Sequence, residues 1–235
     1  MTAKRKSTSK FNKKRVFKII GKICLWFFGI SIVWVLAFRF INPPITLLMV
    51  LRKFDADTKS KSISKEWISY EDMAKSIKIA AVAGEDEKFF NHFGFDIDAI
   101  EQASKDNAQG KRIKGASTIT QQTAKNVFLW PGRSWVRKGF EAYFTLLIEL
   151  LWSKERILEV YLNVIEMGDG IYGAEAASQK YFKKSASKIT RSEAALLVAC
   201  FPNPIRWTPK KPTSYIYRKQ SIILRKMRTV KLPKQ

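Results

Sequence analysis

Residues 154–173 read KERILEVYLNVIEMGDGIYG, and the choice between two architectures hangs on them. Gly168, Gly170 and Gly173 have the G-x-G-x-x-G spacing of a dinucleotide-binding loop, which would imply an α/β fold. Such a loop follows a strand, whereas residues 154–167 carry apolar side chains at the spacing of an amphipathic helix. The glycines are therefore expected in a tight turn between helices. Helical spacing recurs in residues 70–83, 97–107, 118–128, 135–152, 174–182 and 190–199, and no alternating strand pattern of any length appears. Ser117 is expected to cap the helix after it, Thr190 with Glu193 to form a capping box, and Pro202 with Pro204 to end the last strongly apolar helix. The fold class expected is mainly α, with a helical domain over about residues 65–210 and a basic helix over about 214–228.

The 235-residue chain has a net charge of +23, but that charge is concentrated at its ends. Residues 1–22 hold nine Lys or Arg and residues 206–235 hold ten, neither with an acid, so the middle carries only +4. This argues against a nucleic-acid partner, which a basic face across the fold would imply. Residues 23–38, ICLWFFGISIVWVLAF, are uncharged, and with Ile19, Ile20, Phe40 and Ile41 they can cross a hydrocarbon core of roughly 30 Å. Arg39 and the Pro43-Pro44 pair follow where a signal peptide would have small residues for cleavage, so an anchor is expected. Flanking positive charge places the N-terminus in the cytoplasm and the rest of the chain outside. Residues 43–67 read as a connector, whose apolar patch 45–51 suits either a membrane surface or the domain.

Cys24 falls in the apolar run and Cys200 in a helix pattern, so no disulfide is expected, and one histidine, His92, makes no His-rich metal site. Three stretches carry chemistry. In AGEDEKFFNHFGFD, residues 83–96, Glu85 and Asp86 end a helix amid aromatics, which suits sugar chemistry, although a solvated helix end would look the same. In KGASTITQQTAKN, residues 114–126, a hydroxyl-rich helix start with Lys125 suits an anion, or is only a cap. In GRSWVRKGFE, residues 132–141, Arg133, Arg137 and Glu141 share a face if the whole segment is helical, beside Lys138.

In this order the segments closely resemble the peptidoglycan glycosyltransferase family, the lysozyme-like domain also found at the front of bifunctional penicillin-binding proteins. The E-D-x-x-F-x-x-H-x-G pattern is Glu85, Asp86, Phe89, His92 and Gly94, and G-A-S-T-I-T-Q-Q-x-A-K-N runs from Gly115 to Asn126. R-K-x-x-E is Arg137, Lys138 and Glu141, and K-x-x-I-L-E-x-Y-L-N runs from Lys154 to Asn163. The resemblance covers about residues 65–205, and the monofunctional type, without a transpeptidase domain, is the expectation. Gln102 departs from the family, many of whose members carry a basic residue near the donor site there.

The resemblance implies a lysozyme-like fold and polymerisation of the lipid-linked disaccharide-peptide known as lipid II. The growing glycan would pass from polyprenyl pyrophosphate to the 4-hydroxyl of the incoming substrate, with inversion. Glu85 would be the base, and Lys125, Arg133, Arg137 and Lys138 would meet the charge of the leaving group. Glu141, the second catalytic carboxylate, would orient those cations or hold a divalent metal, Mg or Mn; no cofactor is otherwise required. Asp86, Phe89, His92, Ser117, Thr118, Gln121, Gln122 and Asn126 would complete the substrate site. The expected divisions are a basic cytoplasmic segment 1–18, a transmembrane helix 19–41, a connector 42–66, the domain 67–210 and a basic tail 211–235. The tail's Arg218, Lys219, Arg225, Lys226 and Arg228 would face lipid headgroups. The expected setting is the bacterial inner membrane, with the catalytic domain in the periplasm and with other cell-wall synthesis or division proteins as partners. The rivals are a lytic enzyme of lysozyme-like fold, which needs no phosphate clamp, and a non-enzymatic membrane-tethered binding protein.

Overall fold

The computed structural model describes residues 13–54, 60, 62–110, 116–132 and 134–233. Arg133, Gly115 and most of the basic segment 1–18 lie outside the described residues. Helix α1 (Lys13–Phe40) has 28 residues, a length of about 42 Å at 1.5 Å per residue. It is long and apolar enough to cross a membrane, and Phe17, Leu25, Trp26, Ile30 and Val33 on it are exposed, as lipid contact requires.

The C-terminal half of α1 is docked on the domain. The indole N–H of Trp152 donates to the Val35 carbonyl at 2.8 Å, the Ser31 and Tyr143 hydroxyls are 2.6 Å apart, and Trp34 meets Phe128 edge to face. A helix leaves its last carbonyls without partners. Arg156 supplies them here, donating to Phe38 O at 2.9 Å and to Ile41 O at 3.0 Å. Lys65 does the same just beyond, reaching Pro43 O and Pro44 O at 2.6 and 2.5 Å.

The connector is more ordered than its composition implies. Thr46 caps a short helix, α2 (Leu47–Arg52), and Ser64–Lys65 forms β1. The helices then follow the expected segments closely: α3 (Lys75–Glu85), α4 (Ile97–Ala108), α5 (Ile119–Phe128), α6 (Trp135–Leu151), α7 (Lys154–Val164), α8 (Ala174–Phe182), α9 (Arg191–Ala199) and α10 (Ser214–Lys226). The start of α3 is later than expected because Ser69 and Asp72 bond each other at 2.6 Å in a turn that precedes it. The cap of α5 is Thr118 rather than Ser117, and it forms a reciprocal box with Gln121.

The glycine run corrects the sequence reading. α7 stops at Val164, and β2 (Glu166–Gly168) and β3 (Ile171–Tyr172) form a hairpin. β1 pairs parallel to β3, giving a small sheet in the order β1-β3-β2. Strands of two or three residues are too short to show alternation. The Asn163 side chain accepts from Ile68 N and donates to Ile68 O, both at 2.9 Å, which ties the start of the domain to the end of α7.

Small residues set the packing around the future site. Ala80, Ala81 and Ala83 of α3 and Ala194 and Ala195 of α9 are buried, so the two backbones approach closely. A Cβ at Gly84 would fall 2.5 Å from Val198 Cγ1. α10 buries Ile216, Ile223 and Met227 and packs on α3 and α9, so the basic tail helix is part of the domain's packing.

Gly173 starts α8 at φ +85°, and a Cβ there would sit 2.8 Å from the Asn163 carbonyl oxygen. Both the torsion and the backbone neighbour exclude a side chain. Gly173→Ala is expected to cost about 2–3 kcal/mol, read as a lowered melting temperature of the detergent-solubilised protein.

Candidate active site

Asp86 ends α3 and turns the chain. Its Oδ1 lies 2.8 Å from His92 Nε2, and its Oδ2 accepts the Ile119 N–H at 3.0 Å. A carboxylate accepts only, so His92 carries its proton on Nε2. Ile119 is the first residue of α5, whose amide has no partner within the helix and lies at the positive end of its dipole. One buried side chain thus joins α3, the loop after it and the start of α5. Thr118 adds a second clip, donating to Gly94 O at 2.6 Å.

Phe89 and His92 belong to this frame. Phe89 is fully buried, and Lys154 lies 4.6 Å from its ring centroid while donating to His92 O and Glu149 Oε1, both at 2.8 Å. The anion reading of the α5 start also changes. Asp86 takes the Ile119 amide, and Thr118 accepts from Gln121 N at 3.2 Å. Thr118 and Gln121 are therefore engaged in capping, while exposed Ser117 lines a cavity of about 310 Å³ with Glu85, Asp96, Gln102 and Asp106. Gln102 donates there to Asp106 at 3.1 Å.

The next turn of α5 faces a different cavity. Gln122, Lys125 and Asn126 line a space of about 290 Å³ together with Arg137 from α6, Arg52 from α2 and Glu166 from β2. Gln122 donates to Glu85 Oε2 at 3.0 Å, and the Tyr161 hydroxyl reaches Gln122 Oε1 at 3.4 Å. Glu85 lines the first cavity and is bonded to a residue that lines the second, so it stands on the wall between them. Burial pushes its pKa above the ordinary carboxylate value. The Gln122 bond, Lys219 and Lys125 oppose the rise, and Asp86 adds to it.

Ser134 caps α6, accepting from Arg137 N at 3.1 Å. The face shared with Glu141 begins at Arg137, and Arg133, expected on the same face, lies outside the described residues. Arg137 lies 3.7 Å from Glu141, and Lys138 bonds the other Glu141 oxygen. Glu141 is only 4 % exposed, and Arg137 Nε is buried without a partner. Burial lowers the pKa of Lys125; Glu141 opposes this, and Arg137 and Lys138 reinforce it. Cations held this close and partly dehydrated call for an anion between them. Both oxygens of Glu141 face cations, and among the described residues no group of three His, Cys, Asp or Glu could hold a metal.

Lys219 was not legible as a site residue, and Tyr161 was marked only as a position of the Lys154–Asn163 motif. Lys219 lies on α10 between buried Ile216 and Ile223; it is half-buried and its charge acts on Glu85. Lys226 pairs with Glu87 at 2.9 Å. These two tail lysines therefore face the protein, where lipid headgroups were expected. The interval from Ile216 to Ile223 was the available signal, since it marks the inner face of the helix.

A buried carboxylate between a cation-lined pocket and a second groove suits an enzyme that moves a sugar from a phosphate leaving group to a hydroxyl. Residues 51–228 match the family model described as Transglycosylase, and the chain belongs to that family. A protein of Bdellovibrio bacteriovorus named biosynthetic peptidoglycan transglycosylase is 53% identical over 212 residues, 89% of this chain and 85% of its own. Proteins of the same name from Pseudomonas putida (50% over 210 residues, 88% and 89%) and Shewanella oneidensis (48% over 215 residues, 92% of each) are similar to a like degree.

The role of Lys219 has a directional consequence. With Glu85 as the base proposed below, turnover needs it ionised, and Lys219 opposes the rise of its pKa. Lys219→Met is expected to move the acid limb of the kcat/KM profile to higher pH, while Lys219→Arg leaves it near the wild-type position.

Proposed function

We propose that this protein polymerises peptidoglycan glycan strands from lipid II, with Glu85 as the base. The observation that carries the reading is the placement of Glu85 between the cationic cavity and the groove that holds Ser117 and Gln102. The growing strand, linked to polyprenyl diphosphate, lies with its diphosphate against Lys125, Arg137 and Lys138. The incoming disaccharide lies on the other side, with its 4-hydroxyl at Glu85, which assigns Gln102 to the acceptor side where the resemblance had put position 102 near the donor. As the hydroxyl oxygen bonds to the anomeric carbon, its proton passes to the Glu85 carboxylate. The bond to the diphosphate breaks on the opposite face, which inverts the centre, and its electron pair stays on the phosphate oxygen.

Each part has a physical support. Burial keeps Glu85 basic enough to accept a proton. The cations are fixed before reaction, Arg137 and Lys138 by Glu141, so the developing charge meets donors already in place. Glu141 acts through those cations. Arg133 belongs to the same group by its place in the sequence.

The setting follows from the anchor. Nine Lys or Arg in residues 1–22 favour a cytoplasmic N-terminus, which puts the domain on the periplasmic face of the inner membrane. The substrate's lipid stays in the bilayer, and α1 confines the site beside it. Other cell-wall synthesis or division proteins are the expected partners.

The test uses the full chain in detergent with labelled lipid II and products separated by length. Wild type is expected to make long glycan. Glu85→Gln should lose about a hundredfold or more in rate, and Arg137→Ala about a hundredfold, with melting temperatures retained. A wild type that only shortens preformed glycan, and an Arg137→Ala variant that shortens it equally well, would reverse the reading to a lytic enzyme.

A further inference from the structure

One wall of the cationic cavity comes from outside the segments expected to hold the site. Leu48 and Arg52, one helical turn apart on α2, line it together with Lys125 and Arg137. α2 follows the anchor after only six residues and presents Leu47, Val50 and Leu51 outward, 51, 40 and 39 % exposed. Its other side is seated in the protein, with Met49 fully buried. The helix therefore has an apolar outer face at the foot of the membrane anchor and a cation at its end in the pocket. Arg52 Nε is 3.4 Å from Glu166 Oε2, with the two side chains 26 and 12 % exposed.

Glu166 is itself unusual. It stands at the start of β2, just past the end of α7, and its Oε1 is buried without a hydrogen-bond partner. Burial raises its pKa; Arg52 opposes the rise, and the Gly170 backbone does so as well, so Arg52 is the cation this carboxylate faces. A carboxylate in a pocket built for an anion is unfavourable unless it serves to hold a cation there.

We infer that Arg52, held by Glu166, is a substrate-binding residue that takes a phosphate of the lipid-linked diphosphate at the membrane side of the pocket. This rests on the proposed function for the identity of the ligand. The lipid then leaves the pocket along the outer face of α2, and the guanidinium meets the phosphates where the chain passes from bilayer to protein. Arginine suits that place because its planar fork matches phosphate oxygens in pairs. Glu166 acts through Arg52 and is a positioning residue.

The experiment uses the full chain in detergent with two probes, a polyprenyl diphosphate and the corresponding polyprenol. Arg52→Ala is expected to weaken diphosphate binding about tenfold or more and to leave polyprenol binding unchanged. In polymerisation it should raise KM while kcat stays within about twofold. Arg52→Lys should recover part of the binding, because it keeps the charge and loses the fork. Glu166→Gln should weaken diphosphate binding in the same direction, and it carries the test if Arg52→Ala lowers the melting temperature. Diphosphate binding in Arg52→Ala or, in that event, Glu166→Gln equal to wild type overturns the inference. If wild type binds the diphosphate through Arg52 and yet polymerises nothing, this inference stands and the proposed function falls.

Discussion

The two oxygens of Asp86 hold the site together. One receives the His92 ring and the other the first amide of α5, so a single buried carboxylate sets the end of α3 against the start of α5. Glu85 precedes it in the chain, and Gln122 lies one turn into α5. Their hydrogen bond therefore follows from the Asp86 bridge and the rigidity of two helices. A buried carboxylate without such partners would be costly; satisfied on both oxygens, it works as a joint. The turn it closes needs Gly94 at φ +74°, where a Cβ would lie 2.8 Å from Thr145 Cγ2.

The chemistry then depends on a balance of opposed electrostatic effects. Burial alone would make Glu85 hold its proton, and a strong ion pair would leave it too weak for the role of base proposed for it. The structure places it between these limits, with one neutral amide in contact and two lysines acting at a distance. On the other side of Gln122 the cations are crowded and partly dehydrated, with Glu141 holding Arg137 and Lys138 in place. That crowding is unfavourable by itself and is relieved by an anion between the cations, which is how binding energy can be directed at a leaving group.

The anchor is coupled to this arrangement through polar contacts as well as apolar ones. Arg156 binds the last carbonyls of α1 from within α7, and α7 also carries Tyr161, which touches Gln122. Lys65 binds the two proline carbonyls that lead to α2. The helix that meets the bilayer is thus held in a fixed relation to the cavities, as a site acting on a lipid-borne substrate requires.

Most helices were legible in the sequence because the signals that make them are local. Apolar spacing, the Thr190–Glu193 box and the Ser, Thr and Asp caps act within a few residues, and the observed bounds follow them. The motifs likewise marked Glu85, Lys125, Arg137 and Glu141 as candidates, and the glycine run was rightly separated from a dinucleotide loop. Its hairpin was not foreseen, since strands of two or three residues show no alternation and the third strand, Ser64–Lys65, comes from a segment about a hundred residues away. For the same reason only the tertiary structure decided that Phe89 and His92 build the frame, that the charge of Lys219 acts on Glu85, and that Arg52 reaches the cationic pocket. Each depends on which faces meet when the helices pack, and the local sequence does not record that.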